Sequence, residues 1–155
     1  MFKDLICVDP SLLSKWNRPV PRYTSYPTAP QFKPIEESIY LEKLAQFNLS
    51  DKPLSLYIHI PFCKTMCLFC GCSVVLNRKP ERQATYLVHL LKEIRLTAGR
   101  FSTKRIVTQL HLGGGTPTSL TEIEFERLME TLQEYFIWAP DAEISIEIDP
   151  RTVFA

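Results

Sequence analysis

The stretch Leu54-Ser55-Leu56-Tyr57-Ile58-His59-Ile60-Pro61-Phe62-Cys63-Lys64-Thr65-Met66-Cys67-Leu68-Phe69-Cys70 joins an alternating strand to a cysteine-rich loop. Leu54, Leu56, Ile58 and Ile60 fall on one face and Ser55, Tyr57 and His59 on the other, the two-residue period of a strand. Ile106 to Leu112 and Glu143 to Asp149 read as strands of the same kind. Gln109 and His111 occupy the polar parity of the second. On the third, Glu143, Ser145, Glu147 and Asp149 oppose Ile144, Ile146 and Ile148. Between the strands, Ala84, Leu87, Val88, Leu91 and Ile94 recur at helical spacing, as do Phe125, Leu128, Met129, Leu132 and Phe136. Thr121 with Glu124 forms a capping box ahead of the second set, and Leu120 with Phe125 is placed as a hydrophobic staple. The order β-α-β-α-β predicts an α/β fold with a parallel sheet and right-handed crossovers.

Parallel strands covered on both faces are usually apolar on both, and a closed barrel fills its interior with branched aliphatic side chains. Here one face is polar throughout. The helices are expected to cover the aliphatic face, leaving the polar face to line a wet or ligand-filled cavity; a face open to solvent is the alternative. Outward from this core, the 155 residues are 45% hydrophobic, and 18 Lys and Arg against 17 Asp and Glu leave a charge of +1. That balance carries no basic footprint for nucleic acid. The sequence holds no apolar run long enough to span a membrane, and Met1-Phe2-Lys3-Asp4 lacks a secretory core, so a cytoplasmic location is expected. Residues 1–50 read as an irregular N-terminal arm, broken by Pro10, Pro19, Pro21, Pro27, Pro30 and Pro34. A short helix is predicted within it from Ile35 to Phe47.

Four of the five cysteines lie between Cys63 and Cys72, cramped for disulfides and better suited to a metal in a reducing compartment. The C-x3-C-x2-C run sits in the loop at a strand's C-terminal end, where parallel α/β folds place their sites. Three thiolates on one tight loop can ligate three irons of a cubane cluster and leave the fourth open to substrate. Zinc, the other candidate, asks for four ligands, usually in two separated pairs, and no second pair is present. Gly113-Gly114-Gly115 ends the second strand, either to let the backbone approach a ligand or to make a tight turn.

With Phe69 before its last cysteine, this loop resembles the signature of the radical S-adenosylmethionine (SAM) enzymes. Arg22 to Ala29, Leu54 to Cys63, Cys72 in Cys70-Gly71-Cys72, Leu110 to Thr118 and Glu143 to Arg151 together resemble the N-terminal part of the oxygen-independent coproporphyrinogen III oxidases. The arm motif and Cys72 separate that family from its haem-chaperone relatives. The resemblance implies a partial TIM-type (β/α) barrel, begun by residues 51–155. It also implies a [4Fe–4S] cluster on Cys63, Cys67 and Cys70, and two molecules of S-adenosylmethionine. Tyr57, Gly114 and Glu147 would contact the first, and Phe69, Gly115 and Thr116 the second. Cys72 would lie near the second cofactor or be a small buried thiol, and Arg22 is a candidate to meet a substrate carboxylate. The implied reaction, in a monomer fed by a low-potential one-electron donor, turns two propionates of coproporphyrinogen III into vinyl groups, giving protoporphyrinogen IX. Barrels of this kind run to about 200 residues or more. Further strands are therefore expected, and these 155 residues alone are expected to bind a cluster poorly and turn nothing over. A haem chaperone and a non-catalytic iron–sulfur module are the competing readings.

Overall fold

The computed structural model describes residues 9–17, 31–68, 70–77 and 79–153. The chain divides into two compact units, Met1–Glu36 and Glu37–Ala155. The first contains helix α1 (Pro10–Trp16), within the stretch expected to be irregular. A proline begins it rather than breaking it, because the first helical position needs no amide hydrogen. The Asp9 carboxylate caps it by accepting from the Ser11 amide at 2.8 Å. The arm motif from Arg22 to Ala29 and Cys7 lie outside the described residues.

The second unit opens with helix α2 (Glu37–Asn48), close to the predicted span. Strand β1 (Leu54–Ile60) follows with the predicted bounds. Two short strands, β2 (Phe62–Cys63) and β3 (Val75–Leu76), then pair with each other in parallel. After them come α3 (Pro80–Ala98), β4 (Ile106–Gly114), α4 (Glu122–Tyr135) and β5 (Ile137–Ile146). The main sheet is parallel in the order β1-β4-β5. Its aliphatic face carries the core: Ile58 and Ile60, Val107, Leu110 and Leu112 pack with Leu87, Leu91 and Ile94 of α3 and Leu128 and Leu132 of α4. The capping box of α4 is present, with both Thr121 and Glu124 reaching the other's backbone.

Two details depart from the sequence pattern. The α3 face is rotated: Gln83, Leu87, Leu90, Leu91 and Ile94 are buried, while Ala84 and Val88 face outward. The buried Gln83 amide donates to the Ser119 carbonyl at 3.0 Å and to Glu124 Oε2 at 2.8 Å, tying α3 to the start of α4. The third strand was expected over Glu143–Asp149 but runs from Ile137 to Ile146. Its register against β4 jumps from Val107 opposite Trp138 to Gln109 opposite Glu143. The extra residues include Pro140, which has no amide to give the ladder, so the strand bulges there and the alternating pattern is lost. At its other end one ladder bond persists past Ile146, Glu147 N–H to Leu112 at 2.9 Å. Asp149 then caps a 3-10 turn at Pro150–Thr152.

Arg105, buried at the start of β4, donates to the carbonyls of Phe47 and Ser50 and lies 4.9 Å from the Phe47 ring centre. A cation at the end of α2 satisfies carbonyls that the helix itself leaves free.

Candidate cofactor site

The cysteine loop grows from the C-terminal end of β1, and the β2–β3 pairing closes its base. Val75 N–H donates to the Pro61 carbonyl at 2.7 Å and Asn77 N–H to Cys63 at 2.9 Å. A cavity of about 750 Å³ opens above. Cys63, Cys67, Cys70 and Cys72 line one side of it, and Gly114, Gly115, Thr116 and Glu147 line the other. The fold thus gathers these eight residues, all singled out in the sequence. Tyr57 is not among the lining residues, and Phe69 lies outside the described ones.

The glycines at the end of β4 have separate reasons to be glycine. Gly114 has φ of 116°, and a side chain on it would meet the His59 ring at 2.8 Å. Gly115 gives its amide to the Ile60 carbonyl at 2.8 Å, and a Cβ there would strike the Pro61 backbone at 2.7 Å. The run therefore brings β4 against the start of the cysteine loop more closely than any side chain allows.

On the polar face, side chains bond to one another instead of standing free in water. His59 Nε2 lies 2.9 Å from the Ser73 carbonyl, which can only accept, so Nε2 carries the proton. Nδ1 lies 3.0 Å from the Tyr57 hydroxyl, within hydrogen-bond reach. The Tyr57 ring stacks on His111 at 5.8 Å between centres. Partial burial, then the nearby Glu147 and Cys72, push the Tyr57 phenol above its ordinary range. His111 Nδ1 meets Ser145 Oγ at 2.7 Å, and its Nε2 lies 3.4 Å from Glu147 Oε1. The other Glu147 oxygen accepts the Gly114 amide at 3.0 Å. Both oxygens are held from below, and Glu147 faces the cavity with its remaining acceptor positions.

Cys63 and Cys67 each meet a polar group from outside the cysteine loop. Cys63 Sγ lies 3.4 Å from Thr116 Oγ1. Arg151 Nη2 donates to Cys67 Sγ at 3.4 Å, and the same guanidinium is paired with Asp149 at 2.7 Å. Hydrogen bonds from Arg151 hold the Asp149 carboxyl below its usual value, and that pairing raises the guanidinium in turn. Partial desolvation, then the neighbouring Cys70, raise the Cys72 thiol.

A family profile described as "Radical SAM superfamily" matches residues 57–153. The chain is 47% identical over 154 residues to an oxygen-independent coproporphyrinogen III oxidase of Salmonella typhimurium, covering 99% of this chain and 33% of that protein. A protein of the same name from Mannheimia haemolytica is 46% identical over 143 residues, and the match covers 92% of this chain and 96% of the relative. The chain belongs to the oxygen-independent coproporphyrinogen III oxidase family of the radical SAM superfamily. The solved coproporphyrinogen III oxidase of Escherichia coli, described as a radical SAM enzyme, superposes with a TM-score of 0.77 at 44% identity, over 94% of this chain and 32% of that one. The chain thus spans about a third of the length of the Salmonella relative. The partial (β/α) barrel expected from the sequence is the fold found.

For a member of this oxidase family the donor set fits an iron–sulfur cluster. Cys63, Cys67, Cys70 and Cys72 are free thiols. Among the described residues no three Cys, His, Asp or Glu side chains converge as they would on a single ion. A cubane takes thiolates at separate corners, and Cys63, Cys67 and Cys70 line one cavity. Arg151 and Asp149 also line this cavity; Asp149 was expected on the polar face of the third strand, and neither was assigned a role in the site. The signal available was Asp149-Pro150-Arg151, an N-cap followed by proline, which marks a turn and says nothing of what the arginine reaches.

Proposed function

We propose that the protein is an oxygen-independent coproporphyrinogen III oxidase acting in the cytoplasm as a monomer, which converts two propionates of coproporphyrinogen III to vinyl groups and yields protoporphyrinogen IX. The observation that carries this reading is the cavity in which the C-x3-C-x2-C thiols face Gly114 and Glu147. Cys63, Cys67 and Cys70 would hold the [4Fe–4S] cluster. Tyr57, Gly114 and Glu147 would serve one S-adenosylmethionine, and Phe69, Gly115 and Thr116 a second. The chemistry that the bound groups would supply is reductive cleavage of the sulfonium, with an electron from a low-potential donor, followed by hydrogen-atom abstraction from a propionate and loss of CO2 and of one electron to a one-electron acceptor.

The chain's own residues bind and orient. Glu147, with one oxygen on the Gly114 amide and the other beside His111, presents a fixed carboxylate that can accept from a ribose hydroxyl or an ammonium group. The Tyr57 hydroxyl is engaged with His59 Nδ1, so the ring is what Tyr57 offers a ligand. Gly115 has given its amide to Ile60 and offers close approach. The β2–β3 pairing fixes the ends of the ligand loop before any cofactor arrives.

The test is anaerobic reconstitution of the complete gene product, an EPR titration with S-adenosylmethionine, quantification of 5′-deoxyadenosine and a fluorescence assay for porphyrin product. A cluster signal that moves with S-adenosylmethionine, accompanied by both products, supports the reading. A signal that does not move favours a non-catalytic iron–sulfur module. Haem binding without porphyrin product favours the haem-chaperone reading.

A further inference from the structure

The Glu143–Arg151 stretch ends in a guanidinium that the reading above does not use. Arg151 Nε donates to Asp149 Oδ1 at 2.9 Å and to Oδ2 at 3.2 Å, and Nη2 donates to Oδ2 at 2.7 Å. Asp149 Oδ1 also accepts the Arg151 backbone amide at 3.0 Å, so turn and side chain close on one carboxylate. Nη2 has a second hydrogen, and it reaches Cys67 Sγ at 3.4 Å, across 84 residues of sequence. A planar fork with several donors can hold a carboxylate and still present an N–H elsewhere, which a lysine ammonium does far less directionally. The neighbouring Cys63 meets only a neutral hydroxyl, that of Thr116. The cation is thus directed at one sulfur of the loop.

We propose that Arg151 is a positioning residue of the cluster site, which donates an N–H···S hydrogen bond to Cys67 as a cluster ligand, at an angle set by Asp149, and thereby raises the cluster's reduction potential. The proposal rests on the assignment of Cys67 as a ligand. Hydrogen bonds to the sulfurs are among the levers that set cluster potential, and partners outside the ligand set orient the ligands themselves. A donor that draws electron density from the Cys67 sulfur favours the reduced state, which carries the extra negative charge. In a site that must accept an electron from an external donor, that lowers the driving force the donor has to supply.

The experiment is an EPR-monitored redox titration of the anaerobically reconstituted complete gene product without S-adenosylmethionine, comparing the unaltered protein with R151Q, R151K and D149N. At the midpoint of the unaltered protein, the ratio of reduced to oxidised cluster is expected to fall about tenfold in R151Q, which is about 59 mV for a one-electron couple. R151K is expected to fall between the two. D149N keeps the guanidinium but loses its clasp and a negative charge, two opposed effects, and its midpoint is expected to lie nearer that of the unaltered protein than R151Q does. An R151Q protein with full iron content and an unchanged midpoint overturns the proposal. If R151Q fails to retain iron, R151K decides: a lowered midpoint supports the proposal and an unchanged one overturns it. An unaltered protein that assembles no cluster overturns the functional reading together with this inference. A normal cluster whose midpoint is indifferent to Arg151 overturns this inference alone.

Discussion

Gly114 donates its amide to Glu147 Oε2 at 3.0 Å, a bond that joins the end of β4 to the residue just past β5. Gly114 itself adopts φ of 116°, which side-chain-bearing residues rarely do. Gly114→Ala should therefore destabilise the protein by about 1–3 kcal/mol, with the His59 ring also in the way. Gly115→Ala should cost a similar amount, about 1–3 kcal/mol of overpacking, because its Cβ meets backbone. Gly71→Ala is the control: nothing lies within 4 Å of its Cβ, and its effect should stay within about 0.5 kcal/mol. Urea unfolding curves of the three variants decide the matter.

Glu147→Gln keeps an oxygen for the Gly114 amide while removing the charge. Stability should stay within about 0.5 kcal/mol of the parent. The affinity for S-adenosylmethionine, read from its effect on the cluster EPR signal, should fall about tenfold or more, as for the loss of a charge-assisted hydrogen bond. Unchanged affinity would remove Glu147 from the cofactor site.

Cys63→Ala, Cys67→Ala and Cys70→Ala should each lose most of the iron retained after anaerobic reconstitution, and Cys72→Ala should keep it. Colorimetric iron analysis of the desalted proteins measures both. Iron loss from Cys72→Ala equal to that of the other three would make it a ligand and close the open iron.

The Asp149–Arg151 pair carries a definite pH dependence. The folded-state pKa of Asp149 lies below its ordinary 3.8, so the pair's contribution is fully present above that value and is lost as the pH falls through the lower, folded-state one. In acid unfolding, Asp149→Asn should differ from the parent at pH 5 to 7 and converge with it at the acid end. A difference that grows on acidification contradicts the assignment.

Much of this arrangement can be read along the chain, for local reasons. β1 has the predicted bounds because its alternation is unbroken from Leu54 to Ile60 and Pro61 ends it. The start of β5 escapes the same reading because the bulge around Pro140 interrupts the period there. The α3 face was misplaced because leucines and valines occupy neighbouring positions, and the buried Gln83 looks like a surface residue until Ser119 and Glu124 are folded against it. In the site, the cysteines declare themselves by spacing within one loop. The Arg151–Cys67 contact has no such signature, since its partners meet only once the loops after β1 and β5 lie at the same end of the sheet. Gly115 was expected to touch a cofactor, yet the Pro61 backbone alone suffices to require glycine there.

The short ladder between Phe62–Cys63 and Val75–Leu76 bears on how the protein survives air. Its bonds are made between backbone groups and owe nothing to metal, so the intervening loop is stapled at both ends whether or not its thiols are engaged. The core of the sheet contains no cysteine, so loss of the iron removes no contact from it. A scaffold that outlives its inorganic centre can be refilled rather than replaced, which suits a chain whose most oxygen-sensitive part is the part it exposes.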